Sequence, residues 1–589
     1  MNQKCTNCGT QFLISDDDLD FYKKISPIFG GHTFAVPPPS FCPDCRQQRR
    51  IVWRNERGLY NRECSKTGKK IIAMYPPDSV FPVYDNDVWW SDQFDAREYG
   101  RDFDFSKSFF EQLSSLRSSV PHCALAVAKP TMENSDYCNH AGYLKNCYLI
   151  YNVDYDEQCM YGKGMNRCFD CLDCFKLYDS EACYECLNCY NCKFCTYLWD
   201  SLNSSECHFS YNLIGCKNCF LCVNLQNKEF FIKNEKYSPE EWKKKVESLK
   251  NEFSNEQLLQ KLSQAKAYFP VKRINENNTE NCNGDYLKNC KNCEACFDCE
   301  YLENSSYCYD LKKGDGISYG NYDISGFGVG VVQCYEGVSM GYNSNHCLFC
   351  ENVWNCFDCH YSLMCVNNCK NCFGCVGLKK AQYCILNKQY TKEEYEKLVP
   401  RIIEHMGGKP SARREGVASE ACGSATAERS ELKSNQWGEF FPVSMSPFSY
   451  NETMAQEYYP LSREEVIEKG WKWKEKDQKE YLPQKIDISG DINKVDDSIC
   501  DEILACKKSG RNFKIQKAEL AFYKKMGLPI PQLCPDERHY VRLKFRNPRK
   551  LFLRQCEKCK TDMKTTYTPQ RPEKIYCENC YREKVYGGQ

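Results

Sequence analysis

Histidine is scarce in this chain, with 8 residues in 589 against 45 cysteines. Any metal chemistry must therefore be met mainly by thiolates. Net charge is missing too: 79 basic residues balance 79 acidic ones. That removes a global electrostatic pull toward nucleic acid or an anionic membrane. No apolar run is long enough to cross a bilayer, and the opening Met1-Asn2-Gln3-Lys4-Cys5 contains no apolar signal region. These absences predict a reducing, cytoplasmic setting, in which cysteines serve as thiols or metal ligands. A nucleophile elbow, a glycine-rich phosphate loop, a zinc-protease helix and a paired-carboxylate motif are also absent. No catalytic residue is assigned, and a non-enzymatic protein is expected.

The cysteines that are present group at the ends and in two internal fields. Cys5-Thr6-Asn7-Cys8-Gly9 and Cys42-Pro43-Asp44-Cys45 make two Cys-x-x-Cys knuckles near the start. Cys556-Glu557-Lys558-Cys559 and Cys577-Glu578-Asn579-Cys580 make two near the end, with zinc-ribbon spacing. A knuckle sets two sulfurs on one side of an ion, and two knuckles complete a tetrahedral site. Cys5, Cys8, Cys42 and Cys45 are expected to hold one zinc, and Cys556, Cys559, Cys577 and Cys580 a second, about two per chain.

The two ends are also copies of each other. Phe21-Tyr22-Lys23-Lys24 returns as Phe522-Tyr523-Lys524-Lys525, Cys42-Pro43-Asp44 as Cys534-Pro535-Asp536, and Arg62-x-Cys64 as Arg554-x-Cys556. The shared module therefore had an outer quartet and a ribbon quartet, and each copy has kept a different one. In the first copy the ribbon retains Cys64, with Thr67, Asp85 and Val88 at the other positions. In the second, the outer site retains Cys506 and Cys534, with Ser509 and Glu537 replacing the other two. Ligands drift once a metal no longer holds a site together.

A basic stripe follows each second knuckle: Arg46, Arg50 and Arg54 in the first copy, and Arg538, Arg542 and Arg546 in the second. Steps of four place them on one helix face. One reading is a phosphate-contacting surface for nucleic acid. The other, favoured by the zero net charge, is that the arginines offset thiolate charge and join the module's parts.

Residues 138 to 222 contain fifteen cysteines, and every interval between them is a multiple of three. Neither a strand, with period two, nor an α-helix, with 3.6 residues per turn, keeps such a row on one face. Cys159, Cys183 and Cys207 lie 24 apart, as do Cys168, Cys192 and Cys216. Self-similarity at that interval predicts a β-solenoid with coils of about 21 to 26 residues. A second field, Cys282 to Cys384, repeats the behaviour with slips, and both fields end alike: Ile232, Asn234 and Tyr237 match Ile385, Asn387 and Tyr390. The thiols can form a dry packing ladder, bind metal between coils, or make disulfides, in that order of preference.

The fold expected is mainly β, with two cysteine-ladder β-solenoids flanked by duplicated zinc-knuckle and zinc-ribbon modules and joined by helices. Its segments are a zinc module (1–80), an aromatic cap (81–122), the first solenoid (123–237), a helical connector (238–278), the second solenoid (279–390), a helix and flexible linker (391–436), an aromatic segment (437–499) and a zinc-ribbon module (500–589).

Cys42-Pro43-Asp44-Cys45-Arg46-Gln47-Gln48-Arg49-Arg50, Trp89-Trp90-Ser91-Asp92, the cysteine fields and Trp437-Gly438-Glu439-Phe440-Phe441-Pro442 together resemble a family of cysteine-rich zinc-ribbon proteins of small-genome candidate-phylum bacteria. That resemblance spans the whole chain and implies no particular activity. The leading expectation is a non-catalytic interaction scaffold with a protein partner and no membrane association. A nucleic-acid-associated zinc-ribbon factor and a thiol-rich metal-binding or redox protein are the alternatives.

Overall fold

Parallel pairing at an interval of 12 residues dominates the first cysteine field. A computed structural model describes residues 1–312, 316–326, 335–338, 348–350, 355–409, 436–475 and 480–587. They form two units, each discontinuous in sequence: 1–124 with 276–474, and 125–275 with 475–589.

In the second of these units, Phe175 pairs with Leu187, Thr196 with His208, and Lys217 with Glu229, always parallel and 12 apart. Single parallel bridges keep the same interval, as in Glu157 to Phe169 to Glu181 and Met160 to Leu172 to Tyr184. Each step consists of four triplets. In each triplet one side chain points inward, the next residue bridges to its neighbours, and the third adopts the left-handed conformation. Asp170, Asp173, Lys176, Asp179 and Ala182 have φ between 50° and 57°. Asn and Asp tolerate that region best, but Ala182 and Phe194 occupy it as well. The backbone turns at every third residue, which is why neither strand nor helix periodicity applies.

The interval is thus 12 and not the 24 expected, for a reason visible in the inward columns. Cys147, Cys159, Cys171, Cys183, Cys195, Cys207 and Cys219 form one unbroken column of buried side chains. Neighbouring strands lie about 4.8 Å apart, so two interleaved 24-residue ladders are a single 12-residue one. Another column alternates Asp156, Cys168, Ser180, Cys192, Ser204 and Cys216, which doubles its apparent period. There Ser180 Oγ accepts the Cys192 N–H at 3.1 Å and Ser204 Oγ the Cys216 N–H at 3.2 Å.

Cysteine suits the inward positions because it is small, apolar and a weak donor. Cys183 Sγ contacts the Glu181 and Cys192 carbonyls, both at 3.5 Å, and Cys195 repeats the pattern with Lys193 and Ser204. Each thiol thus serves a carbonyl two residues back and another nine ahead, on the next level. No disulfide joins the cysteines of the described residues.

Helices Pro239–Glu252 and Asn255–Tyr268 follow this field, each opened by a serine capping box. Leu258, Leu262, Trp199, Phe209 and Phe220 share a core with Cys556, Tyr567, Ile575 and Cys580. Strand Pro270–Lys272 pairs with Lys574–Tyr576, fixing the C-terminal cysteine segment to this unit.

The other unit builds its parallel pairs from the second field with less regular steps. Gly284 pairs with Cys296, Leu302 with Ser318, Ile324 with Gly337, Phe357 with Lys370, and Lys370 with Gln382. The aromatic segment expected as a cap supplies buried Trp89, Phe94, Phe103, Phe109 and Phe110. Tyr450, Met454 and Val466 pack on Ile51 and Val52. Most of the predicted flexible linker, residues 410–435, lies outside the described residues, as does part of the glycine-rich stretch within Gly314–Gly330. Strand (27%) and helix (26%) take nearly equal shares, so the mainly-β expectation holds only in part: helices carry the end segments and connectors. No helix among the described residues is long and apolar enough to cross a membrane.

Candidate metal centres

Both predicted quartets converge. In each, the four sulfurs lie within 4.8 Å of one another, and no other such group occurs among the described residues. The local backbone explains the convergence. Cys5 N–H donates to the Thr10 carbonyl and Gly9 N–H to the Cys5 carbonyl, each at 2.9 Å. Gly9 turns the chain at φ 74°. Cys42 caps the helix Pro43–Ile51, with Pro43 at its first position where a missing N–H costs nothing, and Cys45 lies in the first turn. Cys8 and Cys42 Sγ are 3.7 Å apart. A tetrahedral ion with metal–sulfur bonds of about 2.3 Å requires sulfurs about 3.8 Å apart. Asn7 Nδ2 donates to Cys45 Sγ at 3.1 Å. The hydrogen bond between Cys42 and Cys45 holds the Cys42 thiol down at about 5 and pushes the Cys45 thiol up, so the pair shares a proton that a bound metal would displace.

The C-terminal quartet repeats this construction. Cys556 N–H donates to Thr561 and Lys560 N–H to Cys556, both at 2.9 Å, with Lys560 at φ 63°. Cys577 caps the short helix Glu578–Tyr581, and its N–H donates to Cys556 Sγ at 3.3 Å. Cys559 and Cys577 Sγ are 3.7 Å apart. The Thr561 hydroxyl beside Cys559 holds that thiol at about 6.

The two depleted quartets keep the same turns. Cys64 N–H donates to Lys69 and Gly68 N–H to Cys64; Cys506 N–H donates to Arg511 and Gly510 N–H to Cys506. Asp85 N–H donates to Cys64 Sγ at 3.3 Å, as Cys577 does to Cys556. Charged pairs now bridge the knuckles: Lys508 with Glu537 and Arg511 with Asp536 in one, Lys69 with Asp85 in the other. Cys506, Cys534 and Glu537 do not form a close ligand group.

The arginine stripes are turned into the protein. Arg46, Arg50, Arg54, Arg538 and Arg542 are buried, while Arg546 is half-buried with its guanidinium 4.8 Å from the Phe175 ring centre. Arg46 and Arg50 both reach Asp323, at 2.9 and 2.8 Å. Arg538 and Arg542 both reach Asp173, with Arg542 also on Glu185 at 2.9 Å. Arg46 lies over Tyr307 and Arg538 over Tyr161, at 4.9 and 4.7 Å. Tyr307 donates to Asp18, and Tyr161 to Glu519. Arg54 pairs locally with Glu56 at 2.6 Å.

Each unit therefore contains the same clamp. A tyrosine and an aspartate from the parallel stack meet two arginines and a carboxylate from the end module. Asp173, Asp323, Asp18 and Glu519 were not singled out in the sequence. Asp18 and Glu519 could have been found, because each sits four residues before the repeated tyrosine. Asp173 and Asp323 gave no such signal, being two among many acidic triplet ends.

The field thiols do not gather. They run in continuous columns, as where Cys183 meets Cys171 and Cys195, and none of them joins a close group of three metal-ligating side chains among the described residues. Neither protein-family models nor the curated proteins contain a match to this chain.

Proposed function

We propose that the chain is a zinc-binding, non-catalytic interaction scaffold. On this reading each parallel stack is a β-solenoid, with coils of 12 residues in the first field and 11 to 16 in the second, its cysteines are dry packing residues kept reduced in the cytoplasm, and an end module fastened by one zinc covers part of it. Zinc fits a set of four thiolates better than hard cations do, and a closed set of four protein ligands is the structural kind of site.

The observation that carries this reading is the duplicated clamp. Five of the six arginines in the cationic stripes, the feature that would most favour nucleic acid, are taken up by carboxylates within the same unit, and Arg546 lies on the Phe175 ring. Burying a guanidinium is costly unless it is paired, so these arginines are suited to docking a module onto a stack. Elemental analysis and thiol counting on protein purified under reducing conditions test the proposal. About two zinc ions per chain with the field thiols free supports it, and several more metal ions would favour the thiol-rich metal-binding alternative. Salt-dependent binding to nucleic acid would reinstate the nucleic-acid alternative.

A further inference from the structure

The two stacks end in the same hairpin, but only one of the ends is covered. Lys233-Asn234 and Leu386-Asn387 are two-residue turns with both residues at positive φ, 50° and 67° in one, 44° and 65° in the other. This is the turn that fits a two-residue hairpin. Asn234 and Asn387 each clasp the valine of the level below through both ends of the amide: Asn234 with Val223 at 2.9 and 2.8 Å, Asn387 with Val376 at 2.7 and 2.8 Å.

In the unit containing the second field, the chain's own segment 96–101 covers this turn. Asn387 Nδ2 also donates to the Ala96 carbonyl at 2.9 Å, and Arg101 N–H donates to the Leu386 carbonyl at 3.1 Å. Gly100 passes so close that a Cβ there would stand 2.8 Å from the Lys388 backbone. Lys388 pairs with Asp102 at 2.6 Å. Leu386 and Asn387 are fully buried as a result.

In the other unit, Lys233 is exposed and Asn234 half-buried. A pocket of about 440 Å³ opens between this turn and the helix Asn255–Tyr268, lined by Leu221, Lys233, Asn234, Lys261, Gln264 and Phe269 among others. That volume is within the range of specific ligand sites, roughly 300–1,000 Å³. The second amide hydrogen of Asn234 has no acceptor among the described residues. Lys233 and Lys261 have no carboxylate partner among them either; Lys261 Nζ rests 4.0 Å from the Phe253 ring centre. The exposed Glu235 stands where Lys388 does in the other stack, so the charge an occupant meets comes from Lys233 and Lys261 and not from a counterpart of Lys388. Leu221 stands where Gly374 admits the Phe109 ring in the other unit, so an occupant here needs no counterpart of Phe109.

We propose that this pocket receives an extended acidic segment of a partner protein, laid on the hairpin as residues 96–101 are laid on its counterpart. A backbone carbonyl of the segment accepts from Asn234 Nδ2, its carboxylates pair with Lys233 and Lys261, and a small apolar side chain lies against Leu221 and Phe269. This deepens the scaffold reading by giving one partner a chemistry.

The probe is an end-blocked peptide with the sequence of residues 94–104, which carries four acidic and two basic residues. It is titrated into the full-length, metal-loaded protein and into the Lys233→Glu/Lys261→Glu variant. The expected result is saturable binding, weakened at least about tenfold by the charge reversal, with slower hydrogen exchange in residues 261–269. Two results overturn the proposal: no saturable binding at millimolar peptide, or equal binding to the charge-reversed protein. Equal binding of a peptide with amides replacing the carboxylates would overturn its acidic character. Circular dichroism and metal content of the variant, expected to be unchanged, separate failure of this pocket from failure of the scaffold reading.

Discussion

In the unit formed by residues 1–124 and 276–474, the arginine helix Pro43–Ile51 grows directly out of a complete cysteine quartet. In the unit formed by residues 125–275 and 475–589, the matching helix Pro535–Leu543 grows out of a depleted one, and the complete quartet stands further along the chain at Cys556 to Cys580. The two helices nonetheless make the same clamp. Docking therefore does not depend on which quartet survived. It depends on the two arginines and the aspartate they share. Where the quartet is depleted, ion pairs link the same knuckles. Exposed pairs contribute at most about 1 kcal/mol each, so they do not replace the energy of a metal site.

The largest effect is expected from removing a surviving metal. Structural zinc contributes roughly 10–16 kcal/mol in isolated fingers. The Cys577→Ser/Cys580→Ser variant should lose hydrogen-exchange protection across residues 552–581 while the first 50 residues stay protected. Cys42→Ser/Cys45→Ser should do the reverse.

Next comes the clamp. Asp173→Ala leaves Arg538 and Arg542, and Asp323→Ala leaves Arg46 and Arg50, without their shared carboxylate. Each change should cost about 3–5 kcal/mol by denaturant titration. A loss from only one of the two substitutions would break the equivalence drawn above.

A gain is expected from restoring ligands. Ser509→Cys with Glu537→Cys completes the depleted outer quartet on a turn that is already formed, and elemental analysis should show one additional metal per chain. No increase would mean that the ion-paired knuckles have moved too far to bind.

The smallest effect is expected inside the stack. Cys183→Ala removes one buried thiol and should cost about 1 kcal/mol with metal content unchanged. A fall in metal content would make the ladder a binding site.

The terminal quartets were legible because Cys-x-x-Cys spacing is itself the local geometry of the site. The threefold row of cysteines was legible as inward-facing, but its level spacing was misread. Ser180 and Ser204 take alternate positions in one column, and a doubled interval looks the same as a true one in sequence. The left-handed residue at every third position was hinted at by Asp170 and Asn191 and concealed by Lys176, Ala182 and Phe194. Which stack each arginine meets was not legible at all. The partners Asp173 and Asp323 lie 365 and 277 residues away, and nothing local distinguishes them from neighbouring acidic residues.

The most direct test of the central claim, one surviving metal site in each duplicated end, is native mass spectrometry under reducing conditions. The wild type, Cys42→Ser/Cys45→Ser, Cys577→Ser/Cys580→Ser and the combined variant would be compared. The account predicts about two, one, one and no zinc ions respectively. More than two ions in the wild type, or metal retained in the combined variant, would contradict it.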